Sequence, residues 1–303
     1  MSTDPFADLA GSLENFSHAL RTAINSNLGN YAPGSPAAEE CKDEPFAGEW
    51  GARPAQTAIG HGMLAANSCI DHLTGAAELI RSRRVSVSLY TIVRGASEAA
   101  SIAAYVLDPK ITPRERVRRS TNCRFEGQCE QLHILRPFES EPDTIEMISA
   151  AQERIAVMER SAKTHGFTFH KAERARPAYL GERPPSATQL IGDCALAAEP
   201  RLGSSLYRVM SGVSHAKSHG LIRLTSPSGK SVVPGVQARQ VNVSAATLAQ
   251  DLFAGPLCAT TMVENLWAFL GWDDHAVSPT VVAMLEVWGR IRGTPHPGSP
   301  TTG

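Results

Sequence analysis

The 303-residue chain has no run of 18 apolar residues, so a membrane-spanning helix is not expected. Its start, Met1 to Asp8, lacks the basic stretch and apolar core of a secretory signal, and a cytoplasmic location is expected. Cysteine is sparse: Cys41, Cys69, Cys123, Cys129, Cys194 and Cys258 stand apart, with no CxxC pair and no common structural-zinc spacing. Scattered single thiols imply buried cysteines in a reducing compartment. There is no large charge of either sign: the formal net charge is -1, which excludes a generally basic nucleic-acid binder and leaves room only for local basic patches. Lysine is scarce among the 29 basic residues, an arginine bias that fits a GC-rich genome as well as phosphate recognition. A Walker loop, a GxGxxG turn and a GxSxG elbow are all missing, which removes the main sequence grounds for an NTPase, a Rossmann oxidoreductase or an α/β-hydrolase. No repeat of 20–50 residues is present.

What is there is helical periodicity on a chain 42% hydrophobic, enough for a substantial core. Phe6, Leu9, Leu13, Phe16, Leu20 and Ile24 recur every three or four residues, predicting a helix from Pro5 to about Leu28. A breaker-rich loop follows to Pro36. Residues Ala37 to Pro54 are polar and expected to be irregular. Helices are then predicted over Gln56–Arg83 and over Ser86–Leu107, the second rich in small residues. Thr112-Pro113-Arg114-Glu115 has the form of a helix start, with Thr as N-cap, Pro at the first turn and Glu at N3. That helix should run to about Leu135, and another from Asp143 or Thr144 to His165. Residues 167–185 read as loop and Ser186–Ala197 as a short helix. One helix is expected from Pro200 to about Ile222 and one long apolar helix from Ala245 to Gly271. A last helix is expected from Ser278 to about Arg292. Between them, β-branched residues around Ser226-Pro-Ser-Gly229 suggest a small β-hairpin near residues 220–243. The expected architecture is a mainly α, multi-helix bundle with that hairpin inserted. Its organisation is an N-terminal helix and loop (1–36), a single helical domain (37–292) and a disordered tail (293–303).

Chemistry concentrates in Ser205 to His219. On a continuous helix, Arg208, Ser211, His215 and His219 would share one face, because residues three, four and seven apart stack. Arg offers a permanently charged fork of donors suited to phosphate, His exchanges protons near neutrality, and Ser211 could orient a water or a phosphate oxygen. Such a set could cleave RNA without a metal. One group would activate the ribose 2′-hydroxyl and another would stabilise charge on phosphorus.

Arg208, six residues and His215 resemble the Arg-x4–6-His motif of the HEPN superfamily, over about ten residues of the chain. The resemblance implies an α-helical bundle that acts as a metal-independent ribonuclease or as a toxin in defence and toxin–antitoxin systems. It also implies a dimer in which two motifs face each other. It transfers Arg208 and His215 as catalytic residues and departs from the family at Val209, where active members often carry a polar residue. The wider layout is similar to helical bacterial proteins with an Arg-x-x-x-Glu helix upstream and a Tyr-Arg…Ser…His helix downstream. Here those are Arg94 with Glu98, and Tyr207, Arg208, Ser211 and His215. RNA and a second copy of the chain are the expected partners, with no membrane and no cofactor.

Arg94 and Glu98, four apart in an apolar helix, need partners, since burying either charge alone costs several kcal/mol, roughly. They are expected either to orient His215 or Arg208, or to pair and set the bundle's register. Arg208 and His215 themselves could equally make ordinary hydrogen bonds at a packed helix boundary, as parts of a non-enzymatic interaction module that is dimeric. His215-Ala-Lys-Ser-His219 also has HxxxH spacing; a His-ligated metal site would need a third ligand such as Glu98, His61 or His72. Asp273-Asp274-His275 reads as a polar turn. Arg114, Arg116, Arg118, Arg119 and Arg124 read as a solvated helix face rather than an RNA contact.

Overall fold

A computed structural model describes residues 4–42, 53–83, 87–172, 177–196, 203–228, 239–241 and 243–293. The chain is mainly α, 76% helical, with 12 packed helices and two small two-stranded antiparallel sheets among the described residues. No helix there is long and apolar enough to cross a membrane. The expected tail beyond Gly293 lies outside the described residues, as do most of the turn of the predicted hairpin and the region around Trp50.

Local signals set most helix starts. In α1 (Pro5–Asn27) the Asp4 carboxylate accepts from the Phe6 N–H, and Leu9, Leu13, Phe16, Leu20 and Ile24 form the buried stripe. Thr112 caps α5 (Pro113–Leu135) by accepting from Glu115 N at 3.2 Å, as the sequence predicts. Residues 37–54 are not all irregular: Pro36–Lys42 form the short helix α2, which covers the main core. That core gathers α1, α3 (Pro54–Ser82), α4 (Val87–Val106), α7 (Ala187–Leu196), α8 (Gly203–Ser214), α11 (Ala254–Leu270) and α12 (Ser278–Arg292). α3 makes its most extensive contact with α4, and α11 crosses α4 so closely that a Cβ at Gly255 would lie 2.7 Å from Val93. Each fully buried Leu or Phe stabilises the fold by about 1.5–3 kcal/mol, which is why the apolar stripes decide which helix faces turn inward.

Two predicted helices are each broken in two. The segment Ala245–Gly271 divides into α10 (Ala245–Asp251) and α11, with the break at Leu252–Phe253. Pro256 has no N–H to give the Leu252 carbonyl, and Gly255 N takes that carbonyl instead at 3.0 Å. The segment Pro200–Ile222 divides into α8 and α9 (Ser218–Arg223). At the end of α8, Ala216 adopts a left-handed φ of 52°. Ala216 N bonds Val213 O, and Lys217 N bonds Gly212 O. This is a Schellman ending built without glycine at the left-handed position.

Two ion pairs, one buried throughout and one buried on its acidic side, lock elements together. Arg116 of α5, fully buried, forks onto Glu40 of α2 (3.0 and 3.2 Å), bonds the Val106 and Asp108 carbonyls and lies 3.8 Å from the centre of the Phe269 ring. Asp251 of α10, also buried, accepts from the Tyr90 hydroxyl at 2.8 Å and from the Arg223 guanidinium of α9. A second apolar cluster, separate from the main core, joins α5 and α6 (Pro142–Thr164) through Val117, Phe125, Met158, Ala162, Phe167 and Leu180. Part of segment 167–185, which reads as loop, forms a minimal hairpin of β1 (Phe169–His170) and β2 (Tyr179–Leu180). Strands β3 (Thr225–Pro227) and β4 (Arg239–Val241) pair where the sequence places a hairpin, over three residues each.

Candidate functional site

The break after α8 controls where the titratable groups go. Gly212 faces His219, whose Nε2 would lie 2.5 Å from a Cβ there. A Cβ at Gly220 would lie 2.5 Å from the Gly212 carbonyl carbon. Two glycines thus let α9 fold back onto α8. His219 goes with α9, onto the Gly212 backbone, and no longer continues the α8 face. His215 sits immediately past the last turn of α8, its N–H bonded to Ser211 O at 3.0 Å.

Packing of α8 on α4 then brings four chemical groups together. Arg94 Nη1 lies 2.9 Å from His215 Nε2. A guanidinium can only donate, so Nε2 is the acceptor and the imidazole proton sits on Nδ1. Arg94 Nε bonds Glu98 Oε1 at 2.8 Å, and the Tyr207 hydroxyl donates to the same oxygen at 3.1 Å. Arg94 also lies 5.3 Å from the centre of the Tyr207 ring. Beside them Thr91 Oγ1 donates to Ser214 Oγ at 3.2 Å, fastening the end of α8 to α4. Arg94 and Glu98 keep 22% and 32% of their side-chain surface exposed, and His215 is exposed, so the cluster is reachable from solvent.

The electrostatics favour a charged Arg94 and a protonated Tyr207. Partial burial alone would lower the Arg94 pKa, but the charge and hydrogen bond of Glu98, with help from Tyr207, outweigh it and raise it. Burial, then the Glu98 charge, push the Tyr207 hydroxyl up against the opposing pull of Arg94, keeping it a donor. The result is a fixed cation, oriented by a carboxylate and facing one nitrogen of the His215 ring.

Arg208 stands elsewhere. It is exposed on α8 and makes no hydrogen bond or ion pair among the described residues. The half-buried Ser211 side chain likewise bonds nothing there. The structure therefore brings Arg94, Glu98, Tyr207 and His215 together, and leaves the side chains of Arg208, Ser211 and His219 outside their side-chain hydrogen bonds. The signal for Arg94 was a charge amid an apolar helix. The sequence offers Arg94 and Glu98 as groups that orient His215 or Arg208, or pair with each other; in the structure Arg94 bonds both Glu98 and His215, and Arg208 stays apart.

The remaining candidates resolve separately. His61 bonds Ser120 at 3.3 Å and the His72 ring covers Gly95, so neither joins His215 and His219 as a metal ligand. Among the described residues only Asp273, Asp274 and His275 bring three ligand atoms together. They are exposed and sit in the turn between α11 and α12, with Asp274 O accepting from Val277 N and Ser278 N. The arginines of α5 form a solvated face only in part: Arg114 and Arg124 are exposed, and the other three are drawn inward. Arg116 is buried, Arg118 and Arg119 are gripped by Glu115, and Arg114 bonds Gly166 O and covers the Phe167 ring. Glu40 and carbonyls outside α5 draw Arg116, Arg118 and Arg119 inward, with Glu115 of the same helix holding the last two.

Compared with protein families, with curated proteins and with solved structures, the chain matches none of them.

Proposed function

We propose that the protein is a HEPN-like, metal-independent RNA endonuclease, toxin-like in its action on RNA, with Arg94 and His215 as the working pair. The observation that carries this reading is the 2.9 Å approach of Arg94 Nη1 to Nε2 of the exposed His215, with Glu98 holding the guanidinium in place. A ribose 2′-hydroxyl reaching Nε2 displaces the Arg94 donor and gives its proton to the imidazole. The freed guanidinium edge then faces the phosphate that the 2′-oxygen attacks and stabilises the added charge. The P–O5′ bond breaks, leaving a 2′,3′-cyclic phosphate, and the departing 5′-oxygen takes the proton back from the imidazolium. Arg208, charged and exposed about two turns before His215, supplies a contact to a neighbouring phosphate, and Ser211 lies between them in the chain.

The test is cleavage of mixed cellular RNA in EDTA by wild type and by His215→Ala, Arg94→Ala and Arg208→Ala. His215→Ala and Arg94→Ala should each lose cleavage by about a hundredfold or more, with the helical circular-dichroism signal intact. Arg208→Ala should mainly raise KM. Undiminished cleavage by His215→Ala rejects the mechanism.

A helical interaction module, dimeric through its own surface, is the second reading. It is favoured by the exposed Ile134, Phe138 and Ile145 near the α5–α6 turn. It predicts no cleavage by folded wild type and a concentration-dependent mass that Phe138→Glu lowers.

A further inference from the structure

We infer that the cleft bounded by the β1–β2 hairpin, α5 and the start of α7 binds a nucleotide, with the base on the His170–Tyr179 pair and the phosphate at Arg183 and Lys171. This site shares no residue with the α4–α8 cluster and does not depend on the ribonuclease reading.

The cleft measures about 790 Å³, within the range of small-molecule sites. Its lining carries the three kinds of group that a nucleotide needs. The first is a flat π-surface. His170 and Tyr179 are cross-strand partners, stacked with ring centres 4.5 Å apart and planes 15° from parallel, and both are half-exposed along the cleft. A nucleobase extends such a stack whatever its sequence, because every base has a π-face. The second is positive charge. Lys171 and Arg183 line the cleft, are exposed, and make no hydrogen bond or ion pair among the described residues. The third is a lone acceptor. Glu126 on the α5 wall is exposed and bonds nothing among those residues, so its carboxylate is open to the amino group of a base and repels a phosphate. The signs therefore set a direction, with the base toward α5 and the phosphate toward Arg183.

The platform is also held in advance. Strands of two residues cannot hold themselves together in water. Here the buried Asn122 side chain takes the place of a strand partner, accepting from Leu180 N at 2.7 Å and donating to Leu180 O at 3.2 Å. Arg118 bonds the Leu180 and Glu182 carbonyls, and Phe169 packs on Phe125 of the same helix. Buried polar groups are thus committed to fixing a hairpin whose two stacked rings stay open to solvent. Preorganisation of this kind lowers the cost of binding.

A nucleotide can arrive free or as one unit of a single RNA strand. Calorimetric titration of the full chain distinguishes them, using AMP, GMP, CMP, UMP, ribose 5-phosphate and a 2′-O-methylated RNA hexamer, which 2′-hydroxyl attack cannot cleave. Binding of mononucleotides at least as tight as the hexamer identifies the free ligand. A hexamer tighter by about tenfold or more identifies the strand. In either case Tyr179→Ala and Arg183→Ala should each weaken binding by about tenfold, Tyr179→Phe should retain it, and ribose 5-phosphate should bind far more weakly than any nucleotide. Retained binding in both alanine variants overturns the proposal. So does the absence of binding by mononucleotides and hexamer alike at millimolar concentration to folded wild type. Neither result bears on cleavage at His215.

Discussion

His61 of α3 faces α5, and its state is set by what surrounds it. Burial first, and the positive charge of Arg124 second, hold its pKa below the ordinary 6.5. In the unfolded chain the imidazole protonates near that value, while in the folded chain it resists. The unfolded state therefore binds more protons as pH falls below about 7, and stability is lost on the acid side. Thermal midpoints should drop between pH 7 and 5 with a slope that His61→Gln makes shallower. An identical slope in the variant would show that other groups account for the acid sensitivity. The same residue-scale logic separates Arg94 from Arg208: Arg94 has a carboxylate and a phenol that fix its orientation, and the Arg208 side chain bonds neither among the described residues.

The α8–α9 corner decides which groups His215 meets. It ends on Ala216 in the left-handed region, where a Cβ crowds the following carbonyl and costs about 1 kcal/mol relative to glycine. Ala216→Gly should therefore stabilise the chain, raising the thermal midpoint by about 2 °C. Gly220→Ala should act the other way, by about 1–3 kcal/mol, because its Cβ would press on the backbone of Gly212. If Ala216→Gly lowers the midpoint, the corner is held by something other than its backbone geometry. The turn separates His215 from His219 and delivers the imidazole to Arg94. Helices α10 and α11 make the same point with a different cause, since there a proline breaks the ladder from within the chain.

Two apolar clusters of very different size divide the molecule's stability unevenly. The main core draws on α1, α3, α4 and α11, whereas α6 contributes only Ala151, Thr144, Met158, Ser161 and Ala162 as buried residues. Elements with few buried apolar contacts open first. Hydrogen exchange should therefore show the central amides of α6 exchanging at least about tenfold faster than those of α3 and α4. Equal protection across all three would mean that the second cluster unfolds only with the first.

Several features were legible from the sequence because they depend on neighbours along the chain. The period of Leu9, Leu13, Phe16 and Leu20 fixes an amphipathic helix, and Thr112, Pro113 and Glu115 fix a helix start. A cluster of β-branched and turn residues marks the place where β3 and β4 pair. Those signals act within a few residues, so the mainly α class follows from them. What the sequence could not contain locally was the outcome of long-range contacts. Arg94 meets His215 across 121 positions and Arg116 meets Glu40 across 76. The first turned a presumed Arg208–His215 pair into an Arg94–His215 pair, and the second turned an apparent surface arginine into a buried one. Periodicity records which face of a helix is apolar, but only packing decides which charges that face is pressed against.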